Sequence, residues 1–192
     1  MFRYVWHLTH IKNLPSILAH GLRSHHEMVT LSNGYQDVSD QNVQNIRARL
    51  SIDGAPLHHF VPTFWRQRNP MMYCRRHLTD QLVWIKIDTT KLDPSVCNTT
   101  DGNAACSGTK YLPGIEADLL DTNAMSSYYW NNIPDGSRKV AAELLVKKHI
   151  PTYAFVGLEV ATNAMLAQCQ QLTALPAMIN PHAFFRDFAK VG

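Results

Sequence analysis

The carboxylate Glu143 is the first residue of chemical interest, because it lies inside an otherwise apolar segment. Residues 140–142 before it are Val, Ala and Ala, and residues 144–146 after it are Leu, Leu and Val. Burying an unpaired carboxylate is costly, so natural chains keep one in such surroundings mostly where it is paired or functional. The alternative is an amphipathic helix, in which Glu143 faces solvent and pairs with Lys139 or Lys147 four residues away. The segment alone leaves both interpretations open.

Several familiar chemistries lack their motifs in this sequence. The ten histidines include no H-E-x-x-H pair, and adjacent histidines on a strand, such as His58 and His59, point to opposite faces. Neither G-x-S-x-G nor G-x-x-x-x-G-K-[ST] is present, which argues against a serine nucleophile elbow and a phosphate loop. The four cysteines form no C-x-x-C pair, so reduced thiols are expected. Cys74, beside Arg75 and Arg76, remains open as a nucleophile, although a buried inert thiol is the commoner case.

Composition indicates a globular protein with only a small net positive charge. A chain of 192 residues with 45% hydrophobic content is long enough for one sizeable core, so a single domain over residues 1–192 is expected. The formal charge of +3 is compatible with one local basic surface and does not by itself indicate nucleic-acid binding. No apolar run approaches the length of a membrane span or a signal peptide, which predicts a cytoplasmic protein without membrane contact.

The elements that would position these residues can be predicted from periodicity and from helix-end signals. Residues 5–10 alternate as a strand, and a helix over 14–20 follows, with Asn13 as its N-cap and Gly21 just past its end. Residues 23–41 are polar, carry a turn signal at 32–34, and are expected to form a loop. Further strands are expected over 58–65, 81–88 and 155–160, and a loop is expected over 98–111. Helices are expected over 43–50, 115–120, 123–129 and 163–172, and another helix is expected to begin at residue 71.

A set of motifs in a fixed order connects Glu143 to the rest of the chain. The motifs are His7-x-Thr9-His10-Ile11-x-Asn13-Leu14, Arg47, Val61-Pro62-x-Phe64, Arg68-Asn69-Pro70-Met71-Met72-Tyr73, Thr100-Asp101-Gly102-Asn103-Ala104, Trp130-Asn131 and Ala142-Glu143-Leu144-Leu145-Val146. Together they resemble DarT-type DNA ADP-ribosyltransferase toxins, and the resemblance runs from about residue 4 to residue 151. The residues after 151 match no motif and are interpreted as scaffold.

The resemblance implies a fold and a reaction. The fold would be the α+β ADP-ribosyltransferase type, with two small, mostly antiparallel sheets splayed to form an NAD cleft and helices outside. Glu143 would then lie on a strand at the mouth of the cleft. The reaction would be mono-ADP-ribosylation of a base in single-stranded DNA, with NAD as co-substrate and no metal. Glu143 and Arg47 are the implied catalytic residues, Glu143 stabilising the oxocarbenium-like ribose and Arg47 binding the diphosphate or the departing nicotinamide end.

The resemblance also implies which residues bind the two substrates. The expected NAD-binding residues are His7, Leu8, Thr9, Asn13, Arg47, Phe64 and Tyr73, with Tyr73 or Phe64 stacking on the nicotinamide ring. For Asn13 the N-cap role is favoured over a cofactor contact. The expected DNA-binding residues are Arg68, Tyr128, Trp130, Arg138 and Lys139.

The expected partners are single-stranded DNA and an antitoxin of the macrodomain type. Two alternatives remain for the function. The same catalysis could be aimed at RNA or protein, or the chain could be a catalytically inactive nucleic-acid-binding domain with the same fold.

Overall fold

The computed structural model describes residues 2–30 and 36–185, in which strands and short helices alternate along the chain. The strands are β1 (Tyr4–His10), β2 (Leu22–Arg23), β3 (Ser51–Ile52), β4 (Ala55–Pro56), β5 (Phe60–Phe64), β6 (Leu82–Asp88), β7 (Cys97–Thr100), β8 (Tyr111–Pro113), β9 (Glu143–Lys147), β10 (His149–Ile150), β11 (Phe155–Val160) and β12 (Ala177–Ile179). The helices are α1 (Leu14–His20), α2 (His25–Thr30), α3 (Gln41–Arg47), α4 (Pro70–Cys74), α5 (Thr122–Ser126), α6 (Gly136–Lys139) and α7 (Asn163–Leu172).

The main sheet has the strand order β12-β11-β6-β1-β5-β9-β7-β8, and it divides into two halves between β1 and β5. β1 pairs with β6 along its whole length, whereas β1 and β5 pair only at Trp6 and Phe64. Beyond that pair the two strands diverge. All pairings in this sheet are antiparallel except that of β11 with β12. The predicted α+β class with a split, mostly antiparallel sheet is therefore observed.

The strand β6 lies at the centre of the first half, between β1 and β11. Its sequence is a nearly continuous run of apolar β-branched and aromatic residues, which favours a strand that is covered on both faces. The buried members are Leu82, Val83, Trp84, Ile85 and Ile87. β1, which carries His7 and Thr9, is paired along its whole length with this buried strand.

The helix α1 ends at His20, and Gly21 follows directly after it, as the sequence predicts. Gly21 has φ of 76° and donates its N–H to the carbonyl oxygen of Ile17 at 2.8 Å. A Cβ atom at this position would lie 2.4 Å from the carbonyl oxygen of Ile150, so only glycine lets β10 approach the end of α1.

Most of the long elements agree with the sequence predictions, with small differences at their ends. The strands expected over 5–10, 58–65, 81–88 and 155–160 correspond to β1, β5, β6 and β11, and the helices expected over 43–50 and 163–172 correspond to α3 and α7. The helix expected from residue 71 is α4, which begins one residue earlier at Pro70.

Four predictions about loops and short helices differ from the structure. The expected loop over 23–41 contains the helix α2, while its turn signal at 32–34 lies outside the described residues. The expected loop over 98–111 begins and ends in the strands β7 and β8, because the backbone of residues 97–99 pairs with β9. The helix expected over 115–120 is only a 3₁₀ turn, Ala117–Leu119, and that over 123–129 shortens to α5.

The segment after residue 151 adds β11, α7 and β12 to the first half of the sheet. This agrees with the interpretation as scaffold for residues 155–179. The last residues of the chain, 186–192, lie outside the described part. Over residues 2–30 and 36–185 the structure contains no helix long and apolar enough to cross a membrane.

Candidate active site

Glu143 is the first residue of β9 and pairs with Phe64 of β5, directly beside the junction of the two half-sheets. It is 1% exposed. The helical alternative is excluded, since α6 ends at Lys139 and the Lys139 ammonium binds Asp121 instead, with Nζ 2.7 Å from Oδ2. The predicted placement of this carboxylate on a strand is therefore confirmed.

The Glu143 carboxylate is held by two groups from distant parts of the chain. Arg47 at the end of α3 places Nη1 at 3.0 Å from Oε2 and 3.3 Å from Oε1 of Glu143. The backbone N–H of Ala104 donates to Oε1 at 2.8 Å. Both side chains of the ion pair are buried, and the second terminal nitrogen of Arg47, Nη2, is buried without a hydrogen-bond partner among the described residues. The pair is thus internally neutral and retains one unused donor.

The loop of residues 101–110, here called the 101–110 loop, closes over this carboxylate. Thr100 accepts the backbone N–H of Glu143 at 2.8 Å and donates to the carbonyl of Gly102 at 2.6 Å. The Tyr111 hydroxyl donates to the carbonyl of Ala104. Burial and the neighbouring Glu143 raise the pKa of Tyr111, which keeps this hydroxyl protonated. The N–H of Ala104 is therefore fixed from both ends of the loop.

A cavity of about 310 Å³ opens on the side of the junction where β1 and β5 diverge. Four of the residues expected to bind NAD line it, namely His7, Leu8, Thr9 and Asn13. Gln44 also lines it, one helical turn before Arg47 on α3. The cavity therefore extends from the first strand toward the Arg47–Glu143 pair, although neither member of the pair belongs to its lining.

His7 is positioned to present a neutral imidazole to this cavity. Its Nδ1 lies 2.8 Å from the carbonyl oxygen of Pro62, so Nδ1 carries the proton and Nε2 is left as an acceptor. Burial lowers the pKa of His7, which favours the same neutral form at pH 7. A neutral imidazole can accept a hydrogen bond from a sugar hydroxyl.

The N-cap role expected for Asn13 was wrong. Its side chain makes no capping hydrogen bond to α1. Instead Nδ2 donates to Thr9 Oγ1 at 3.1 Å and to the carbonyl of Gln36 at 2.8 Å, while Oδ1 accepts the backbone N–H of Gln36 at 2.8 Å. Asn13 therefore joins the end of β1 to the segment that begins at Gln36 and lines the cavity wall.

The two aromatic residues expected to stack on nicotinamide do not line the cavity. Phe64 is buried in an edge-to-face contact with Trp84, with ring centroids 6.2 Å apart. Tyr73 is 48% exposed and packs edge-to-face on Phe185 at 5.2 Å. The structure thus brings together the His7–Asn13 set and the Arg47–Glu143 pair, and it leaves these two rings outside.

Three of the residues expected to bind DNA form one surface. The Arg68 guanidinium carbon lies 4.5 Å from the ring centroid of Tyr128 and 3.9 Å from that of Phe185, and Trp130 contacts Phe185 edge-to-face at 5.7 Å. We call Arg68, Tyr73, Tyr128, Trp130 and Phe185 the aromatic–arginine surface. Tyr128 is 56% exposed, so much of its side chain remains accessible to solvent.

The other two residues expected to bind DNA have different partners. Arg138 binds Asp101, with Nη1 2.6 Å from Oδ1, and Asp135, with Nε 2.5 Å from Oδ2. Lys139 binds Asp121, as described above. Internal carboxylates thus compensate both charges, and the expected role of Arg138 and Lys139 in DNA binding stays a prediction.

No metal site is found in the described residues, and two of the four thiols, those of Cys97 and Cys169, are buried. No group of three or more His, Cys, Asp or Glu side chains is placed there to hold a metal ion. All four cysteines are free, and burial raises the pKa of Cys97 to about 12, which makes that thiol inert. Cys74 is exposed and has no part in the cavity.

Solved structures define the class to which this fold belongs. The structure superposes on Thermus sp. 2.9 DarT in complex with ADP-ribosylated ssDNA with a TM-score of 0.83 and 21% identity, covering 96% of this chain and 97% of that one. A second structure of that protein, in complex with NAD+, gives a TM-score of 0.77 and 21% identity, covering 96% and 98%. The fold is therefore that of a DarT-type ADP-ribosyltransferase.

The sequence comparisons place the chain in one family of that class. A family model described as "ssDNA thymidine ADP-ribosyltransferase, DarT" matches residues 6–185, and the chain belongs to this family. A curated relative from Thermosipho africanus, named a DNA ADP-ribosyl transferase-DNA ADP-ribosyl glycohydrolase fusion protein, is 31% identical over 96% of this chain. The chain spans 50% of the length of that relative. The resemblance drawn from the motifs is thus confirmed.

The structure adds functional candidates that the sequence did not single out. The Ala104 N–H lies within the Thr100–Ala104 motif, but the motif shows no side chain that indicates a donor. Gln44 could have been found from its position one turn before Arg47. Phe185 lies outside every motif, and only the three-dimensional contacts connect it to the site.

Proposed function

We propose that this chain transfers ADP-ribose from NAD to a base of single-stranded DNA. The observation that carries the proposal is the buried Glu143 carboxylate, held by Arg47 and the Ala104 N–H beside a cavity lined by His7, Thr9 and Asn13. A fixed carboxylate in a water-poor site stabilises developing positive charge without reorganising. NAD is the co-substrate of this reaction.

The reaction breaks the bond between the nicotinamide nitrogen and the ribose C1′, and nicotinamide leaves with the electron pair. Positive charge then develops on C1′ and the ring oxygen, where Glu143 stabilises it. One such group is worth about 3 to 4 kcal/mol, or roughly a hundredfold to a thousandfold in rate. The base nitrogen then forms the new bond to C1′, and its proton passes to Glu143 or to water.

Arg47 has two tasks in this scheme. Through Nη1 it orients the Glu143 carboxylate, and through the unpaired Nη2 it can bind the diphosphate or the nicotinamide amide. We propose thymidine as the acceptor, in line with the description of the family. Since a base inside a duplex cannot reach the sugar, a single strand is the expected form of the DNA.

The cellular setting follows from the same reaction. The Thermosipho africanus relative is named a fusion of a transferase with a glycohydrolase. We therefore propose that this chain acts as a toxin, in the cytoplasm where NAD and DNA are both present, and that a macrodomain-type antitoxin removes its product. We further propose that residues 1–192 form one ADP-ribosyltransferase domain, because both half-sheets contribute to the site.

Incubation with NAD and three classes of polymer tests the proposal. Single-stranded DNA should gain the mass of one ADP-ribose per modified base, duplex DNA, RNA and protein should not, and Glu143→Gln should lower the rate by about a hundredfold to a thousandfold. An adduct on RNA or protein alone would instead support the first alternative function. Retained DNA binding without an adduct on any polymer would identify an inactive binding domain.

A further inference from the structure

The residue Phe185 occupies a central position in the aromatic–arginine surface, although it lies beyond the last motif. Its ring contacts Arg68 at 3.9 Å, Tyr73 at 5.2 Å and Trp130 at 5.7 Å. The carbonyl of Phe184 accepts a hydrogen bond from Arg68 Nη1 at 3.0 Å, which fixes the backbone that carries the ring. Three chain segments, 66–73, 127–130 and 184–185, therefore meet at one half-buried phenyl ring.

Arg68 and two adjoining arginines keep their charges available; Arg66 lies over the ring of Trp130 and Arg76 over that of Tyr73. Arg66 donates to the carbonyls of Ala124 and Ser127, Arg68 to that of Phe184, and Arg76 to that of Tyr73. None of these three arginines forms an ion pair within residues 2–30 and 36–185. Burial and the nearby Arg68 lower the pKa of Arg66, as expected where like charges are uncompensated.

The surface is close to the reacting centre. Arg68 follows Phe64 by four residues, and Phe64 pairs directly with Glu143. Four extended residues span at most about 14 Å, so Arg68 lies within a few nucleotides of the modified base. Aromatic rings beside uncompensated arginines are the combination that binds single strands, with bases stacking on the rings and phosphates meeting the cations.

We propose that Phe185, together with Arg68 and Tyr128, forms a stacking site for a base that flanks the modified one. The C-terminal segment is then part of the DNA-binding site and contributes to the choice of target sequence. This inference rests on the proposed function, because its ligand is the single strand that carries the acceptor base.

The test combines a variant of Phe185 with oligonucleotides that lack single bases. Phe185→Leu keeps an apolar side chain and removes the ring, Phe185→Tyr keeps the ring, and Tyr153→Leu is the matched control on an exposed aromatic residue that is not part of the surface. Each protein is assayed for transfer and for direct binding of oligonucleotides that carry one acceptor base and an abasic site at each flanking position in turn.

We expect Phe185→Leu to raise the KM for DNA by between about fivefold and about 150-fold, the range of one base–aromatic stack. The KM for NAD should not change, and Phe185→Tyr and Tyr153→Leu should resemble the unmodified protein. At one flanking position, removal of the base should weaken DNA binding by the unmodified protein by the same factor. The same removal should not weaken DNA binding by Phe185→Leu any further.

Two results would overturn the inference. One is a Phe185→Leu protein whose DNA binding and KM equal those of Tyr153→Leu. The other is that, at every flanking position, the loss of DNA binding caused by the abasic site and the loss caused by Phe185→Leu multiply when the two changes are combined. If the unmodified protein binds single strands but modifies none, the proposed function fails, while the same binding cycle still decides whether the stacking site exists.

Discussion

The Arg47–Glu143 pair combines two functions in one buried contact. Each charge is neutralised by the other, and the only further donor to the carboxylate that the structure shows is the N–H of Ala104. Removing one member of a buried pair leaves an uncompensated charge, which costs more than the contact itself contributes. Catalysis and stability are therefore linked at this pair.

We expect Arg47→Ala to lower the free energy of unfolding by about 3 to 5 kcal/mol, besides abolishing transfer. The double variant Arg47→Ala/Glu143→Gln should regain a large part of that loss, because a neutral amide needs no counter-ion. Chemical denaturation of the single and double variants measures both values. Arg49→Ala, on an exposed residue two positions further, is the control and should cost less than about 0.5 kcal/mol. Equal stabilities for Arg47→Ala and Arg49→Ala would refute this account.

At the scale of elements, the 101–110 loop holds the Glu143 carboxylate and Arg138 holds the loop. Arg138 binds Asp101 in the loop and Asp135 before α6. A Cβ atom on Gly102 would lie 2.4 Å from Arg138 Nη1, so the loop packs directly on the guanidinium. The position of the Ala104 N–H thus depends on an ion pair outside the cavity.

We expect Arg138→Ala to lower kcat by up to about a hundredfold, with little change in the KM for NAD, because a small displacement of Glu143 mainly affects the transition state. Steady-state transfer kinetics separate the two constants. Arg3→Ala, which breaks the Arg3–Asp88 pair at the start of β1, is the matched control and should reduce stability without reducing kcat. A loss confined to KM, or an equal loss of kcat in both variants, would contradict a positioning role.

The sequence predicts long elements well and short ones poorly, for a physical reason. β6 and α7 carry their own signal, a buried apolar run and a capped ten-residue helix. The six-residue helix α2 is too short to be stable by itself. Its histidines, His25 and His26, contact His58 and His59 at ring-centroid distances of 4.5 and 4.0 Å. These contacts join residues more than 30 positions apart, and no local pattern reveals them.

The same limit applies to the candidate site. Glu143, Arg47, His7 and Thr9 could be named as candidates from motifs, because the proposed catalysis and NAD binding use their side chains. The Ala104 N–H could not be named, since every residue but proline carries that donor. The ion pairs of Arg138 with Asp101 and Asp135 were not predicted, because sequence alone does not show which carboxylates lie beside its guanidinium.

At the scale of the whole molecule, two histidines link folding to pH. Burial lowers the pKa of His7 on β1, and burial, His25 and Arg47 lower that of His58 before β5. The folded protein therefore binds protons less readily than the unfolded chain, whose histidines titrate near 6.5. The stability that the neutral forms of His7 and His58 contribute is fully present above that pH, and it is lost as the pH falls through the folded pKa values.

We expect the melting temperature to be nearly constant from about pH 7 to 8 and to fall below about pH 6.5. Thermal unfolding across this range measures the effect. The double variant His7→Gln/His58→Gln should show a smaller fall than the unmodified protein, whereas His77→Gln, on an exposed residue, should reproduce the full fall. An unchanged slope in the double variant would show that other groups cause the pH dependence.

The division of the sheet has a further consequence for partly synthesised forms of this protein. The chain crosses from one half to the other repeatedly, with β1, β6, β11 and β12 in the first half and β5, β7, β8 and β9 in the second. No continuous early stretch of the chain contains a complete half. A ribosome that has made the first 140 residues has therefore produced neither Glu143 nor a finished cleft wall. Under the proposed function, a product that ends before Glu143 would therefore be harmless.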